Sequence, residues 1–301
     1  MLCPLLPALL LGLSLSAAAQ STSPALLVSL PSDVVAGVLV LRNLPFNGRR
    51  GDFILDTGCV YGLVIEQDAF PSQLRPLAKP GLGAAGPMPL YELPVTQFEF
   101  GDVRPPPVAQ ATSLAAIRAV VGPQLLGLIG TGLLRRFEVV LDYAHHRLSL
   151  YALGTQQSPA RPFTRRDSVG FTLEKGWPVA VAFINSVPVH VLLDTGARDS
   201  HLDADFAKAL PAAARHTGAR RETLPAPGGH VAAQRATLPR LRVGMTEWRG
   251  LPVLLAPPVR YPSGRSLPYQ GILGNSFLSQ EPLVSFHFGR RQFYALTSKR
   301  P

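Results

Sequence analysis

The stretch FILDTGCVYGLVI, residues Phe53–Ile65, places an aspartate and a Thr-Gly turn between two apolar runs. The same plan returns in VHVLLDTGARDSHL, residues Val189–Leu202. The two aspartates, Asp56 and Asp194, lie 138 residues apart. One Asp-Thr-Gly alone is weak evidence, because the tripeptide also suits an ordinary surface turn. Two copies, each directly after an apolar run, indicate a repeated unit with a chemical role.

A second pair of matching segments follows the aspartates in the same order. GLIGTGLLRRFEVVLDY starts at Gly127, and GILGNSFLSQEPLVSFHF starts at Gly271. Two ordered matches make a chance repeat implausible, so the chain is predicted to form two similar lobes. The predicted division is a signal peptide at 1–19, an N-terminal lobe at 20–153, a linker at 154–166 and a C-terminal lobe at 167–301.

Short runs rich in Val, Leu, Ile and Phe, bounded by Gly, Pro and Asn, fill both halves and predict β-strands. The 27 Gly and 30 Pro among 301 residues suit a fold with many turns, which disfavours coiled coils and helical bundles. Hydrophobic residues make up 47% and charged residues 16%, so general disorder is excluded. We predict an all-β, two-lobed fold with pseudo-two-fold symmetry. Short helical patterns lie at Glu66–Leu74, Gly130–Arg136, Ala204–Ala214 and Asn275–Ser279.

The N-terminus is an uncharged apolar run, residues 1–19, that ends in three alanines before Gln20. This pattern predicts a cleaved secretory signal and an exported protein, whether periplasmic, cell-surface or secreted. An uncleaved anchor is the alternative, because about 20 apolar residues span a bilayer. Cys3 would leave with the signal, so the mature chain keeps Cys59 alone and has no internal disulfide.

Several other classes of function lack their sequence signals. The formal net charge is +10, but the basic residues are scattered and not interleaved with aromatics, which argues against a nucleic-acid platform. The seven histidines show no His-x-x-x-His spacing, so no metal site is predicted. The GLIGTG stretch at 127–132 lacks the Lys-Ser/Thr of a phosphate-binding loop, and G-x-S-x-G is absent. We therefore expect neither a metal nor an organic cofactor.

The chemistry rests on the two aspartates. Each follows a strand that should be buried, so each carboxyl must find hydrogen bonds or a partner, or its pKa will rise. Pseudo-two-fold symmetry would bring the two turns together at the axis, where the carboxyls of Asp56 and Asp194 would face each other. Carboxylates about 3 Å apart cannot both ionise, so the pair would share one proton. Such a pair can activate a water molecule and polarise a substrate carbonyl.

At this point the chain resembles aspartic peptidases of the retropepsin and pepsin clan, in the form of exported bacterial retropepsin-like proteins with two fused lobes. The resemblance covers most of the chain after residue 25 and implies a β-rich lobe on each side of a cleft. It implies that Asp56 and Asp194 are catalytic and that Thr57, Gly58, Thr195 and Gly196 support them. The matching elements are Asp56-Thr57-Gly58, Asp194-Thr195-Gly196, Leu128-Ile129-Gly130, Ile272-Leu273-Gly274 and the run from Leu133 to Tyr143.

The resemblance also implies glycine-rich hairpin flaps that close over the cleft. Glycine tolerates the backbone conformations that a flap needs. An ordinary hairpin loop is the alternative interpretation of each stretch. The flap candidates are Gly83 and Gly86 in the first half and Gly228 and Gly229 in the second.

Three positions depart from the family pattern. Cys59 stands where a small residue is more common, and we expect it to pack as a small hydrophobe; a weak hydrogen bond from its thiol to a carboxylate is the alternative. Arg198 follows the second turn; near the two aspartates it would lower their pKa values, but we expect it to face solvent or pair with Asp199. Tyr91 is only a loose match for the flap tyrosine of pepsins.

The sequence therefore predicts an exported aspartic endopeptidase that acts on polypeptides, works as a monomer, and neither binds nucleic acid nor stays inserted in a membrane after signal removal. The alternative is a non-catalytic protein that binds peptides or another partner on the same scaffold.

Overall fold

A computed structural model of the chain describes residues 25–153, 163–215 and 217–298. The predicted signal peptide at 1–19 lies outside these residues, as does most of the predicted linker. The strands are β1 (Leu26–Pro31), β2 (Asp33–Val35), β3 (Val38–Phe46), β4 (Arg49–Asp56), β5 (Leu63–Glu66), β6 (Arg75–Pro76), β7 (Gly81–Gly83), β8 (Gly86–Met88), β9 (Tyr91–Pro94), β10 (Val108–Thr112), β11 (Leu125–Gly130), β12 (Phe137–Asp142), β13 (Arg147–Ala152), β14 (Phe163–Glu174), β15 (Trp177–Ile184), β16 (Val187–Leu193), β17 (His201–Asp203), β18 (Thr217–Ala226), β19 (Gly229–Val243), β20 (Thr246–Ala256), β21 (Gly271–Leu273), β22 (Leu283–His287) and β23 (Gln292–Ser298).

Helices are short, and the all-β prediction is confirmed. The helical pattern predicted at Glu66–Leu74 forms two short 3-10 helices and not one continuous helix, and Pro71 opens the second of them. Helix α1, in the first half, was not indicated by the sequence. The α-helices are α1 (Ala115–Val121), α2 (Thr131–Leu134), α3 (Ala204–Ala209) and α4 (Asn275–Leu278), and the 3-10 turns are Gln67–Ala69, Pro71–Gln73 and Ala212–Ala214.

The two halves share one continuous sheet. A 13-stranded sheet has the order β1-β13-β12-β22-β23-β14-β15-β16-β21-β17-β20-β19-β18. Its first three strands come from the first half, and β12 joins the second half by antiparallel pairing with β22, where Val140 lies opposite Ser285. We call the first six strands in this order, β1, β13, β12, β22, β23 and β14, the interlobe sheet. Because its backbone hydrogen bonds cross between the halves, it fixes one half relative to the other.

The rest of the first half forms a separate sheet of eight strands, ordered β2-β3-β4-β11-β5-β10-β9-β6. Strands β7 and β8 form a hairpin of their own. The predicted domain boundaries stay a prediction; β14 begins at Phe163, inside the predicted linker at 154–166.

The strand before each Asp-Thr-Gly pairs in parallel with the strand that carries Gly-x-x-Gly. In the first half β4 pairs with β11, and Asp56 lies opposite Gly130. In the second half β16 pairs with β21, and Leu193 lies opposite Leu273. The repeat seen in the sequence is thus one local architecture built twice, with an aspartate at the carboxyl end of a buried strand each time.

Aromatic side chains fill the core behind the first turn. Phe46, Phe53 and Phe100 are fully buried, and the ring centroids of Phe53 and Phe98 lie 5.4 Å apart. Burying one such side chain contributes about 1.5–3 kcal/mol to folding. The strand that ends at Asp56 is therefore anchored in a well-packed part of the core. Along residues 25–153, 163–215 and 217–298, no helix is long and apolar enough to cross a membrane.

Candidate active site

The two Asp-Thr-Gly turns meet between the halves of the chain. Asp56 is the last residue of β4, and Asp194 directly follows β16, held by a 3.0 Å hydrogen bond from its backbone N–H to the carbonyl of Leu273. Their carboxyl groups lie within hydrogen-bonding reach of each other. Both residues keep some exposure. The turns thus bring together two aspartates that are each partly exposed as residues.

Reciprocal hydrogen bonds between two threonines lock the turns together. The backbone N–H of Thr57 donates to Oγ1 of Thr195 at 3.0 Å, and the N–H of Thr195 donates to Oγ1 of Thr57 at 2.9 Å. Each hydroxyl in turn donates at 2.7 Å to the strand of the other half, at the carbonyl of Leu193 or Leu55. Both threonines are fully buried, so these four bonds are shielded from water.

The glycines of the two turns allow the carboxyls to come this close. A Cβ at Gly58 would overlap the carboxylate of Asp194, and a Cβ at Gly196 would overlap the carboxylate of Asp56. Any side chain at either position would push the opposite aspartate away. The Gly in each Asp-Thr-Gly is therefore required by close approach across the pseudo-two-fold axis.

Backbone amides of the turns hold each aspartate. Oδ1 of Asp56 accepts from the N–H groups of Gly58 and Cys59, both at 2.9 Å. Oδ1 of Asp194 accepts from the N–H of Gly196 at 2.8 Å. These bonds fix the orientation of both carboxyl planes.

The electrostatics favour a shared proton. Burial raises the pKa of Asp56 well above its usual value, and the neighbouring Asp194 carboxyl raises it further. Burial also raises the pKa of Asp194, against the opposing hydrogen bond from the N–H of Gly196. Two close carboxyls with raised pKa values titrate as a pair and hold one proton over a wide pH range. One carboxyl can then act as a base while the other donates a hydrogen bond.

Two polar residues that the sequence reasoning missed support the second turn. Nδ2 of Asn275, the first residue of α4, donates to the carbonyl of Thr195 at 2.7 Å. The hydroxyl of Tyr143 donates to Oδ1 of Asn275. The one feature of the sequence that could have indicated a role for Asn275 is its position directly after the second Gly-x-x-Gly. Nothing in the sequence linked Tyr143 to it.

An aromatic cluster borders the first turn. The indole Nε1 of Trp177 donates to the carbonyl of Gly58 at 2.7 Å. The Trp177 ring lies edge-on to Tyr269, with centroids 5.8 Å apart, and tilted against Tyr261 at 6.4 Å. Nζ of Lys175 lies 4.0 Å from the centroid of the Tyr261 ring. Burial, then the nearby Asp194, raises the pKa of Tyr269, which places this cluster beside the pair of aspartates.

The four flap candidates lie at the tips of two hairpins. Gly83 and Gly86 flank the turn of β7–β8, while Gly228 and Gly229 lie at the turn of β18–β19. The tips touch: the N–H of Ala85 donates to the carbonyl of Pro227 at 3.0 Å.

Close packing at this contact leaves no room for larger residues. A Cβ at Gly83 would overlap the carbonyl of Pro227, and Gly228 adopts φ +88°, which favours glycine. Their motion as flaps stays a prediction. Tyr91 lies in β9 of the eight-stranded sheet and not in the β7–β8 hairpin.

Arg198 pairs with its neighbour. Its Nε lies 2.6 Å from Oδ2 of Asp199, and 46% of its side chain is exposed. Oδ1 of Asp199 also pairs with the guanidinium of Arg235, a residue of β19, at 3.1 Å. Nε of Arg235 pairs in turn with Glu222 of β18 at 2.7 Å. This ion cluster ties the β18–β19 hairpin to the loop after the second turn.

Cys59 packs on a small apolar cluster of the first half that includes Val40 and Ile54. Burial and the two aspartates raise the pKa of its thiol, so it stays protonated. In the part of the chain that the structure describes, no group of three or more His, Cys, Asp or Glu side chains is placed to hold a metal ion.

One comparison with known proteins matches the part of the chain that carries the second aspartate. Residues 179–277, which include Asp194 but not Asp56, match the family model for aspartyl proteases. No curated protein sequence matches the chain. Among solved structures, the chain is similar to the crystal structure of basic 7S globulin from soybean, at 12% identity and a TM-score of 0.47, over 91% of this chain and 95% of that one. The matched part of the second half thus resembles aspartyl proteases.

Proposed function

We propose that this protein is an exported aspartic endopeptidase that cleaves polypeptides with Asp56 and Asp194. The observation that carries the proposal is the reciprocal hydrogen bonding of Thr57 and Thr195. These bonds join the two turns and so hold the buried carboxyls of Asp56 and Asp194 close together. A protein that only bound peptides would have no need for two close carboxyls whose pKa values are raised by burial and, for Asp56, also by the neighbouring carboxyl, since that arrangement costs stability.

The proposed reaction uses the pair as base and acid. The ionised carboxyl takes a proton from a water molecule as the water oxygen adds to the peptide carbonyl carbon. The protonated carboxyl hydrogen-bonds the carbonyl oxygen and stabilises the tetrahedral intermediate. Collapse of the intermediate breaks the C–N bond, and the leaving amine receives a proton from the pair. Neither metal nor organic cofactor is needed.

The substrate proposed is an extended peptide that lies between the aspartates and the touching hairpins. The extended backbone of the peptide would hydrogen-bond to the backbone of the hairpins, and successive side chains of the peptide would fill pockets on alternate sides. One chain supplies both aspartates, so the active unit is a monomer. The uncharged apolar run at residues 1–19 supports export.

The function is tested with the purified protein and a diverse peptide library between about pH 3 and pH 7, a range set by carboxylate titration. The wild type is expected to cleave, and Asp56→Asn and Asp194→Asn are each expected to lose at least about 10²-fold in turnover. A statine-type inhibitor, which occupies the pair of carboxyls, should also stop cleavage. No cleavage by the wild type at any pH would instead favour the non-catalytic peptide-binding alternative.

Export is tested separately. The full chain is expressed with its N-terminus intact, and the protein recovered outside the cytoplasm is sequenced from its first residue. A mature chain that begins at Gln20 would support a cleaved signal, whereas retention of Met1 would contradict it.

A further inference from the structure

Trp177 makes a contact with the other half of the chain that the proposed reaction does not yet use. The residue opens β15, directly after the turn Lys175-Gly176, and its indole N–H reaches the carbonyl of Gly58 at 2.7 Å, 119 residues away in sequence. Gly58 belongs to the first Asp-Thr-Gly turn. The second half of the chain therefore hydrogen-bonds the turn that carries the first aspartate.

The accepting carbonyl belongs to the peptide group between Gly58 and Cys59. The N–H of that same peptide group donates to Oδ1 of Asp56 at 2.9 Å. Indole, peptide and carboxylate thus form a chain of two hydrogen bonds. A bond accepted by the carbonyl polarises the peptide and strengthens the bond that its N–H donates, by about 10–30% in condensed-phase estimates. The stronger bond favours the ionised carboxylate over the neutral acid.

The pseudo-two-fold symmetry does not repeat this donor. The turn before β3 and the turn before β15 are equivalent, because Gly37 packs against Arg198 while Gly176 packs against Val60. The residue after Gly37 is Val38, an aliphatic side chain with no hydrogen to donate. Trp177 therefore supplies the first turn with a donor that the second turn lacks at the equivalent position.

The ring of Trp177 is held in place on its other sides. Tyr269 meets it edge-on at 5.8 Å, and Tyr261 lies against it at 6.4 Å. An aromatic ring packed in this way has little freedom to rotate, so the direction of its N–H is preorganised.

We propose that Trp177 is a positioning residue: through the Gly58–Cys59 peptide it orients Asp56 and stabilises its ionised form. A role of Trp177 in catalysis rests on the endopeptidase function proposed above. Its effect on the ionisation of Asp56 through the hydrogen-bond chain does not depend on that function. The titratable groups that face Asp56 are the carboxyl of Asp194 and the thiol of Cys59, and Asp194 in turn raises the pKa of Tyr269, after burial. A Trp177→Phe change leaves all of them in the chain and removes one N–H.

The test compares Trp177→Phe with Trp248→Phe, which changes the second tryptophan. Trp248 packs on Phe277 at a centroid distance of 4.5 Å and supplies a matched loss of one indole. The protein is labelled with carboxyl-¹³C aspartate, the two resonances are assigned with Asp56→Asn and Asp194→Asn, and both carboxyls are titrated by NMR. We expect Trp177→Phe to raise the pKa of Asp56 by about 0.1–0.7 and that of Asp194 by less. Trp248→Phe should move neither.

The titration tests the hydrogen-bond chain whether or not the protein cleaves peptides, so failure of the proposed function does not obscure it. An Asp56 pKa that stays within about 0.1 of wild type in folded Trp177→Phe would overturn the proposal. If the protein is active, a positioning role lowers kcat and leaves KM within about two-fold. A rise in kcat/KM through a lower KM would also overturn it, because Trp177 would then be blocking the substrate.

Discussion

Tyr143 and Asn275 are 132 residues apart in the sequence, and the Tyr143 hydroxyl donates to Oδ1 of Asn275 at 2.8 Å. Tyr143 directly follows β12 of the interlobe sheet, while Nδ2 of Asn275 donates to the carbonyls of Thr195 at 2.7 Å and Ala197 at 3.3 Å. Burial raises the pKa of Tyr143, so its hydroxyl stays a neutral donor. The shared sheet is thereby tied to the second Asp-Thr-Gly turn.

Removing the Tyr143 hydroxyl should therefore cost stability. Tyr143→Phe leaves Oδ1 of Asn275 buried without its partner, and we expect the free energy of unfolding to fall by about 1–3 kcal/mol. Chemical denaturation measures the change. Tyr294→Phe, a buried tyrosine of the same sheet, is the control for loss of a hydroxyl. Equal stability of Tyr143→Phe and wild type would show that the hydrogen bond contributes nothing net.

The contribution of Asp56 and Asp194 to the stability of the protein should fall as pH rises above the ordinary range of aspartate. The folded pKa values of Asp56 and Asp194 are raised above the ordinary aspartate value, so between that value and the folded pKa values the folded state binds more protons than the unfolded state. Proton release on unfolding then favours unfolding at higher pH, by about 1.4 kcal/mol for each unit of difference in pKa.

Asp194→Asn removes one ionisable group and the repulsion between the carboxyls. We expect this variant to be more stable than wild type at about pH 7 and the difference to shrink near about pH 3, below the ordinary aspartate range, as measured by unfolding midpoints across pH. A difference that stays constant over this range would argue against raised pKa values in the folded protein.

Much of the fold and the central site was predictable because it rests on local patterns that occur twice. An apolar run before Asp-Thr-Gly and a later Gly-x-x-Gly identified the repeated architecture. The pairing of Arg198 with Asp199 was one of two expected outcomes, because adjacent opposite charges often pair.

Two side-chain hydrogen bonds that join distant parts of the chain near the site were not predictable. Trp177 to Gly58 and Tyr143 to Asn275 each span more than a hundred residues, and no periodicity in the sequence pairs a side chain with a partner so distant. Helix α1 was missed for another reason: seven residues between loops give too short a pattern to distinguish a helix from a strand.

The ion pairs of Arg235 with Asp199 and Glu222 should restrain local opening of the β18–β19 hairpin. Arg235→Ala removes the guanidinium shared by Glu222 and Asp199, whose side chains are 25% and 15% exposed. We expect amide hydrogen exchange in β18 and β19 to speed up several-fold, since the hairpin loses its attachment to the loop after the second turn.

Arg240→Ala is the matched control, because Arg240 lies on the same strand and pairs with Glu247 of the neighbouring strand β20. It should leave exchange near the hairpin tip unchanged. Similar acceleration in both variants would mean that the attachment to Asp199 does not restrain the hairpin.

A cleft built from two identical halves would present the same surface to a peptide in either direction, although a peptide has distinct amino and carboxyl ends. Here Arg198 occupies the position equivalent to Val60, and Trp177 the position equivalent to Val38, so the surroundings of the two Asp-Thr-Gly turns differ in charge, shape and hydrogen bonding. Fusion of the halves lets each of these residues occur once, where a symmetric dimer would have to carry it twice. For the proposed peptide substrate, this asymmetry would distinguish the two directions of binding and let the residues on each side of the scissile bond be selected independently.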